Sequence, residues 1–183
     1  AALVWFLHAA HRGHGQAQYA AGFCYEFGHG TSTSNNKALK WYTEAATNTK
    51  DPAAQTALGR CFLESSLGLK KDECMAFNFF MMAAEQRFAT AEFAVGLCYD
   101  FGYGMIEPNA TLAVAWYERA AKQESLEACY NLGVCFKFGR GVTQNLDIAA
   151  MWFGKAARYG DAEARTQLIA LKLATSKFSI FVN

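Results

Sequence analysis

The sequence predicts an all-α fold in which one helical hairpin is repeated along the chain. Gly22, Gly59, Gly96 and Gly133 stand 37 residues apart, and a cysteine follows each glycine by two places. Paired alanines recur at almost the same interval, with an aromatic residue four places before each pair. Self-similarity at a fixed period is typical of solenoids. Because the chain has only two prolines and is rich in alanine, helices are favoured throughout.

The repeated positions place five copies, whole or partial, in register. The paired alanines are Ala9-Ala10, Ala45-Ala46, Ala83-Ala84, Ala120-Ala121 and Ala156-Ala157, and the aromatic residues are Trp5, Trp41, Phe79, Trp116 and Trp152. We divide the chain into a single repeat domain of about four and a half repeats over residues 1–174 and a C-terminal tail over residues 175–183. The domain comprises a partial repeat over 1–14, repeats over about 15–49, 50–87, 88–123 and 124–159, and a degenerate terminal helix over 160–174.

Each copy divides into two amphipathic helices. In the third copy, Ala91, Val95 and Tyr99 step by four and mark the buried stripe of the first helix. A glycine inside a helix costs about 1 kcal/mol relative to alanine. Its return in every copy, as at Gly96, therefore predicts a point where two helices approach too closely for a side chain. Alanines beside large aromatic residues on the second helix provide the matching surface.

The joins between helices carry start and stop signals. A Gly-x-Gly sequence follows the first helix in three copies and is expected to end it, with glycine in a left-handed conformation. Asp51 is expected to cap a helix that begins with proline, and Ser125, Asn145 and Asp161 are expected to cap others. The second copy has no Gly-x-Gly, which predicts a different path for its loop.

The two ends of the chain depart from the pattern. The first seven residues are apolar but lack the basic residues and cleavage site of a signal peptide. They fit the second half of a repeat, which predicts that the chain is part of a longer protein. In the last copy Ile169 replaces the repeated glycine, as expected of a terminal repeat. The tail over 175–183 leaves the register, and it either packs as a cap or is disordered.

The repeat resembles a known family. The pattern A-x-x-W-[YF]-x-x-A-A, a short turn and then A-x-x-x-[LV]-G-x-x-[YF]-x-x-G-x-G is similar to the Sel1-like repeat (SLR), a relative of the tetratricopeptide repeat (TPR) with a longer loop. The resemblance covers residues 1 to about 172. It implies a TPR-like, right-handed α/α superhelix whose concave face serves as a scaffold or adaptor in multiprotein complexes. Members of the family occur in the cytosol, the ER lumen, the bacterial periplasm and near fungal cell-wall enzymes.

Charge and hydropathy argue against several classes of function. The net charge is +1 and lysine and arginine are not clustered, so we expect no nucleic-acid partner. No stretch approaches the roughly 18 apolar residues of a membrane span, so we expect no direct membrane insertion. No Ser/His/Asp set, carboxylate pair or Cys/His motif stands out, and we predict that the chain is not an enzyme. The oligomeric state is left open.

The cysteines are predicted to be buried free thiols. Cys24, Cys61, Cys98 and Cys135 share one repeat position. Equivalent helices pack about 8–10 Å apart, whereas a disulfide needs Cα atoms within about 7 Å. Thiols of this kind act as small apolar side chains and favour a reducing, cytoplasmic location. The ER lumen or secretion is the alternative if a signal peptide lies outside this sequence.

Two other polar features have a structural explanation. His8, His11 and His14 fall at positions that vary between copies, and a zinc site would need a fourth ligand or a water, so we expect no metal and no cofactor. Asn109 begins a glycosylation sequon. It also stands where the following helix needs a cap.

The residues that differ between copies are the candidates for partner binding. On the first helix of each copy a stripe at i, i+4 and i+7 varies, and the first helices of such solenoids line the concave surface. This concave stripe consists of Tyr19, Phe23, Glu26, Thr56, Arg60, Leu63, Phe93, Leu97, Asp100, Tyr130, Val134 and Lys137. We expect Tyr19, Phe93 and Tyr130 to be aromatic anchors for a peptide or helix and Arg60 to be a polar contact. The alternative is that the aromatics pack against the next repeat's first helix.

These observations predict a protein–protein interaction scaffold or adaptor without catalytic activity. It would bind a peptide or helix of a partner in a concave groove and help to assemble a multiprotein complex. One alternative is a structural spacer or regulatory module of a longer protein, for example beside a catalytic domain. A metal-dependent hydrolase would require ligands that the sequence does not show.

Overall fold

The repeated pattern folds into a succession of helices, as the sequence predicts. The structure is a computed structural model that describes residues 2–104 and 107–181, with side chains described as far as residue 173. Its described residues form ten helices and no strand, which confirms the all-α prediction. The helices are α1 (Ala2–Ala10), α2 (Gly15–Phe27), α3 (Asn35–Asn48), α4 (Pro52–Glu64), α5 (Glu73–Ala84), α6 (Ala89–Phe101), α7 (Ala110–Lys122), α8 (Leu126–Phe138), α9 (Leu146–Arg158) and α10 (Ala162–Phe181).

Each copy is a pair of helices, and the pairs stack in chain order. The first helices are α2, α4, α6 and α8, and each packs most extensively against the second helix of its own copy and then against that of the preceding copy. In addition α2 lies against α4, and α4 lies against α6. Successive second helices stand farther apart within the described part of the chain. The closer approach of α2, α4 and α6 to one another is the arrangement expected of an inner, concave side.

The repeated glycines mark the closest approach within each pair. A Cβ atom added to Gly22, Gly59, Gly96 or Gly133 would lie 2.5–2.6 Å from a ring carbon of the second helix. Carbon atoms in ordinary contact stand about 3.5–4.0 Å apart. The prediction of a close helix approach is thereby confirmed. The four rings occupy one register position and are buried: Tyr42, Phe80, Tyr117 and Phe153.

Side-chain caps begin helices at the predicted positions. Asp51, Ser125, Asn145 and Asp161 each accept a hydrogen bond from the backbone N–H three residues on, at 2.7–3.2 Å. Asn109 accepts the equivalent bond at 3.0 Å and starts α7. Each cap satisfies one of the N–H groups that a helix leaves unpaired at its start.

The first glycine of each Gly-x-Gly ends its helix in the left-handed conformation. The φ angle is 71–77° at Gly28, Gly102 and Gly139. In the second copy Ser65 adopts the same conformation with φ of 57°, and its N–H donates to the Cys61 carbonyl as the glycines do in their copies. The expectation of a different loop path is wrong at this position. Serine tolerates here a backbone strain that glycine avoids.

The second glycine has a role that the sequence pattern did not indicate. Backbone atoms of Glu73 and Ala110 occupy the space in which Cβ atoms of Gly104 and Gly141 would stand. Glu73 and Ala110 begin α5 and α7, the second helices of the preceding copies. The loop of one copy is thus pressed against the helix start of the copy before it.

A buried polar position ties three of the four first helices, α2, α4 and α6, to the preceding second helix. Gln18 and Gln55 lie at equivalent positions and are almost fully buried. Their amide nitrogens donate to the carbonyls of Ala10 and Ala46 at 3.1 and 3.3 Å. These bonds reach carbonyl groups in the last turns of α1 and α3, where helices leave carbonyls without a partner in the helix; the Ala10 carbonyl also accepts from the Gly13 N–H at 3.0 Å.

In the third copy the same position is a glutamate. Glu92 is only 2% exposed, and its carboxylate has no hydrogen to donate. It accepts bonds from Arg119 Nε at 3.0 Å and from Gln123 Nε2 at 2.7 Å. Arg119 also donates to the carbonyl of Ala84 at 3.5 Å, which replaces the glutamine bond of the earlier copies.

The first and last described helices, α1 and α10, depart from the regular pattern. Helix α1 buries Leu3 and Ala10 but leaves Val4 and Trp5 exposed. At the other end α10 continues through residue 181, so the helical backbone includes residues 175–181 of the predicted tail. Residues 182 and 183 lie outside the described residues. Ile169, which replaces the repeated glycine, is exposed.

Candidate partner-binding surface

The concave stripe lies along the inner helices α2, α4, α6 and α8. Each of these helices contributes three of its twelve residues. None of the twelve is fully buried: eleven are half-buried, and Phe23 is exposed. The twelve residues differ in access: Phe23 is exposed, whereas the side chains of Glu26 and Asp100 are only 8% and 4% exposed.

Each predicted aromatic anchor packs against a ring on the second helix of its own copy, and these rings occupy equivalent positions. The ring centroids are 5.7 Å apart for Tyr19 and Tyr42, 5.7 Å for Phe93 and Tyr117, and 5.6 Å for Tyr130 and Phe153. These are ordinary separations for stabilising aromatic pairs. The Tyr130 hydroxyl also donates to Glu163 on α10 at 2.9 Å. The anchors thus contribute to the fold while their side chains stay half-exposed on the concave side.

A cavity of about 240 Å³ opens on the same side, at the second copy. In register, Thr56 stands where the other copies have Tyr19, Phe93 and Tyr130. The small side chain at this position leaves a recess on α4 between the rings of α2 and the start of α6. Its lining includes Tyr19, Phe23, Phe27, Thr56, Ala57, Arg60 and Phe88.

The charged residues of the stripe are bound within the chain. Glu26 accepts a hydrogen bond from the Tyr42 hydroxyl at 2.7 Å and pairs with Arg60 at 2.6 Å. Arg60 also pairs with the exposed Glu64 at 3.2 Å. Burial raises the pKa of Tyr42, as does its bond to Glu26, so the hydroxyl remains a donor. Burial opposes the charge of Arg60, but the bond to Glu26 raises the pKa of the guanidinium overall.

The third and fourth copies repeat this arrangement. Asp100 accepts a hydrogen bond from Tyr117 at 3.2 Å and pairs with Arg140 in the loop after α8. Burial raises the pKa of Tyr117, and the charge of Asp100 adds to the effect. Lys137 donates to Gln167 at 2.7 Å. Glu26 and Asp100 therefore form ion pairs between consecutive copies. Arg60, the predicted polar contact, takes part in one of these inter-repeat pairs.

One sequence signal could have predicted where these inter-repeat ion pairs form. The ring position of the second helix is tyrosine in the two copies whose stripe ends in a carboxylate, Glu26 or Asp100. It is phenylalanine in the copies whose stripe ends in Leu63 or Lys137. A hydroxyl occurs only where a carboxylate can accept a hydrogen bond from it.

The structure adds three residues to the candidate surface. Phe27, Phe101 and Phe138 end α2, α6 and α8, and they are 51%, 57% and 62% exposed. They directly precede the Gly-x-Gly in three copies, a recurrence that by itself predicted no function. Repetition in this case does not indicate burial. Phe27 also lines the cavity beside Thr56.

The prediction of buried thiols is confirmed for the four repeated cysteines. Cys129 is also buried, but the prediction is wrong for Cys74, which is exposed near the start of α5. Burial raises the pKa of Cys98 to about 12 and that of Cys135 to about 11. These thiols stay protonated near neutral pH and serve as packing groups.

His11, the middle member of the histidine set, has local partners. His11 Nδ1 lies 2.6 Å from the Leu7 carbonyl oxygen, and its ring packs edge-on against Trp41. Across the described residues, no three His, Cys, Asp or Glu side chains are grouped so that they could hold a metal ion. Among the helices that the structure describes, none has the length and apolar character needed to cross a membrane.

Comparisons with solved structures agree with this architecture. A Sel1 repeat protein from Oxalobacter formigenes superposes with a TM-score of 0.83 at 31% identity, over 91% of this chain and 65% of that one. The protective antigen c5321 of uropathogenic Escherichia coli, which displays an SLR fold, gives a TM-score of 0.80 at 29% identity, over 91% and 35%. The chain thus spans less than two thirds of either protein. Helicobacter pylori cysteine rich protein B, at 22% identity and a TM-score of 0.56 over 72% of this chain and 92% of that one, shares the fold alone.

Sequence comparison identifies the repeat itself. No curated protein matches the chain significantly. A family model described as the Sel1 repeat matches four consecutive segments, residues 15–49, 52–88, 89–125 and 126–161. These segments contain the four complete helix pairs, with the repeated glycine, the paired alanines and the closing loop in each. The chain belongs to the Sel1 repeat family.

Proposed function

We propose that this chain is a protein-interaction scaffold without catalytic activity, and that its concave stripe binds a peptide or helix of a partner protein. Sel1 repeat proteins are generally protein-interaction scaffolds. The observation that carries the proposal is the exposure of Phe27, Phe101 and Phe138, which occupy one register position at the ends of three first helices whose stripe holds the half-buried anchors. Single exposed apolar residues are ordinary, but a row of them on one concave surface is typical of a binding groove.

The electrostatics of the stripe favour apolar recognition. Glu26 and Arg60 neutralise one another, as do Asp100 and Arg140. A partner therefore meets few unpaired charges and gains affinity mainly by burying rings, at roughly 25 cal/mol per Å² of apolar surface. Salt should have little effect on such binding, because screening acts on exposed charges.

A random-peptide display on the immobilised chain tests the proposal. Peptides that bind are measured against the variant Phe101→Ala/Phe138→Ala, whose exposed side chains contribute little to folding. The matched control is Leu112→Ala/Met151→Ala, which removes exposed apolar side chains from the second helices α7 and α9. We expect the groove variant to weaken binding at least about tenfold, since loss of two aromatic contacts is typical of hot spots, and the control to bind as the wild type does. The proposal would be contradicted if the peptides bound both variants as tightly as they bind the wild type.

A further inference from the structure

We infer that the cavity at Thr56 receives an aromatic side chain of the partner, which completes a row of rings that the chain leaves incomplete. The inference rests on the proposed function, because it names the group that the partner contributes to the concave stripe. It concerns one recess on α4, bounded by α2 and the start of α6.

The first argument is the register of the repeats. Tyr19, Phe93 and Tyr130 each pack on a ring of the second helix in their own copy, with centroids 5.6–5.7 Å apart. In the second copy the corresponding ring is Phe80, and the residue that would pack on it is Thr56. The row of concave rings therefore has one member missing, and the residue in its place, Thr56, lines the cavity together with Tyr19 and Tyr42 of the first copy.

The second argument is the chemistry of the lining. Rings of Tyr19, Phe23, Phe27 and Phe88 form the walls. The Thr56 hydroxyl donates to the Pro52 carbonyl at 2.7 Å, so it is satisfied within α4 and requires no ligand. Aromatic groups pack favourably against such walls in offset or edge-to-face arrangements.

The third argument is size. The cavity holds about 240 Å³. Sites for drug-sized ligands occupy roughly 300–1,000 Å³, so this recess suits one large side chain better than a free cofactor or metabolite. The place left by a single missing ring is of that order.

The fourth argument is charge. Arg60 lines the cavity, but its guanidinium is already bound by Glu26 and Glu64. An acidic side chain of a partner would have to displace one of these carboxylates, and it would lose its own hydration in an aromatic recess. An uncharged ring meets neither obstacle, so the cavity favours Phe, Tyr or Trp over Asp or Glu.

The test fills the cavity from within the chain. Thr56→Phe supplies the missing ring in cis, and Thr56→Ser is the matched control that keeps the recess. With alanine methyl groups labelled for NMR, Ala53 and Ala57 report on the cavity that they line. The probes are N-acetyl-tyrosine amide and N-acetyl-aspartate amide at millimolar concentration.

We expect the tyrosine probe to shift both methyl resonances saturably in the wild type and in Thr56→Ser. The dissociation constant should be at least about tenfold weaker in Thr56→Phe, because the new ring occupies the site. The aspartate probe should shift neither resonance saturably. Equal binding of the tyrosine probe to Thr56→Phe and the wild type, or equal binding of both probes to the wild type, would overturn the inference.

Folding of the variant is checked by its thermal midpoint, which we expect to equal or exceed that of the wild type because the new ring packs against the aromatic walls of the cavity. If Thr56→Phe unfolds, Ala53→Leu replaces it, because leucine at this position fills the same recess from the first turn of α4. The same results are expected of Ala53→Leu, and the same results would overturn the inference. Display-selected peptides separate the two proposals. Peptides that depend on Phe101 and Phe138 but bind Thr56→Phe normally overturn this inference alone, whereas peptides indifferent to all these changes overturn the proposed function as well.

Discussion

Replacing Gly133 with alanine is expected to destabilise the last repeat, although alanine is the better helix former. The added Cβ would lie 2.6 Å from Cδ1 and Cε1 of Phe153 and 2.9 Å from Cγ. Ordinary carbon contacts are about 3.5–4.0 Å, so the overlap approaches 1 Å. Phe153 is fully buried, and its ring cannot move without disturbing the surrounding core.

Two opposing effects determine the size of the change. Alanine in place of a helical glycine stabilises by about 1 kcal/mol. An extra carbon forced into a packed core costs roughly 1–3 kcal/mol, and an overlap with two ring atoms belongs at or above the upper end of that range. We therefore expect the free energy of unfolding to fall by about 2 kcal/mol.

Gly154 provides the matched control, because it lies inside α9 next to Phe153 in the sequence. A Cβ at Gly154 would meet only Leu168 Cδ2, at 3.9 Å. Only the helix preference then acts, so Gly154→Ala should stabilise by about 0.5–1 kcal/mol. Urea unfolding followed by circular dichroism should separate the two alanine variants by about 3 kcal/mol.

Equal stability of the two alanine variants would refute the packing explanation. A double-mutant cycle adds a second check, because Phe153→Leu removes the ring that the new Cβ meets. Phe153→Leu should therefore cost less stability in the Gly133→Ala background than in the wild type. Independent, additive effects would also speak against a direct contact.

Three further outcomes are expected. Iodoacetamide at pH 8 should modify the exposed Cys74 in the native protein and the five buried thiols only in urea, as counted by mass spectrometry; native labelling of a second thiol would contradict the burial. Because burial raises the pKa of Cys98 from 9.0 to about 12, its contribution to stability is complete below pH 9 and is lost as the pH rises toward 12. The urea midpoint of unfolding should accordingly fall less for Cys98→Ala than for the wild type between pH 8 and pH 11. Arg119→Ala should reduce the free energy of unfolding by about 1–3 kcal/mol because it leaves the buried Glu92 carboxylate with one partner fewer. Glu92→Gln should be tolerated, since two other copies have glutamine there, and it should lessen the cost of Arg119→Ala; an unchanged cost would show that the carboxylate is not the cause.

The sequence was sufficient for the helices, their order and their tightest contacts. A glycine every 37 residues, caps at Asp51 and Asn145, and Gly-x-Gly stops depend on local backbone sterics, which are the same wherever the segment lies. The register also placed the twelve stripe residues on one side of the first helices, because helical periodicity determines which residues share a face.

The tertiary structure decided which of those residues remain available. Glu26 and Arg60 are 34 positions apart and belong to different copies, so only the stacking of copies makes them a pair. Phe138 belongs to the repeated pattern yet is exposed, because no neighbouring helix covers the end of α8 within the described residues. Thr56 looks like an ordinary variation until the helices on either side make it the floor of a cavity. Local sequence determines helices, whereas exposure, pairing and empty space depend on how successive copies pack against one another.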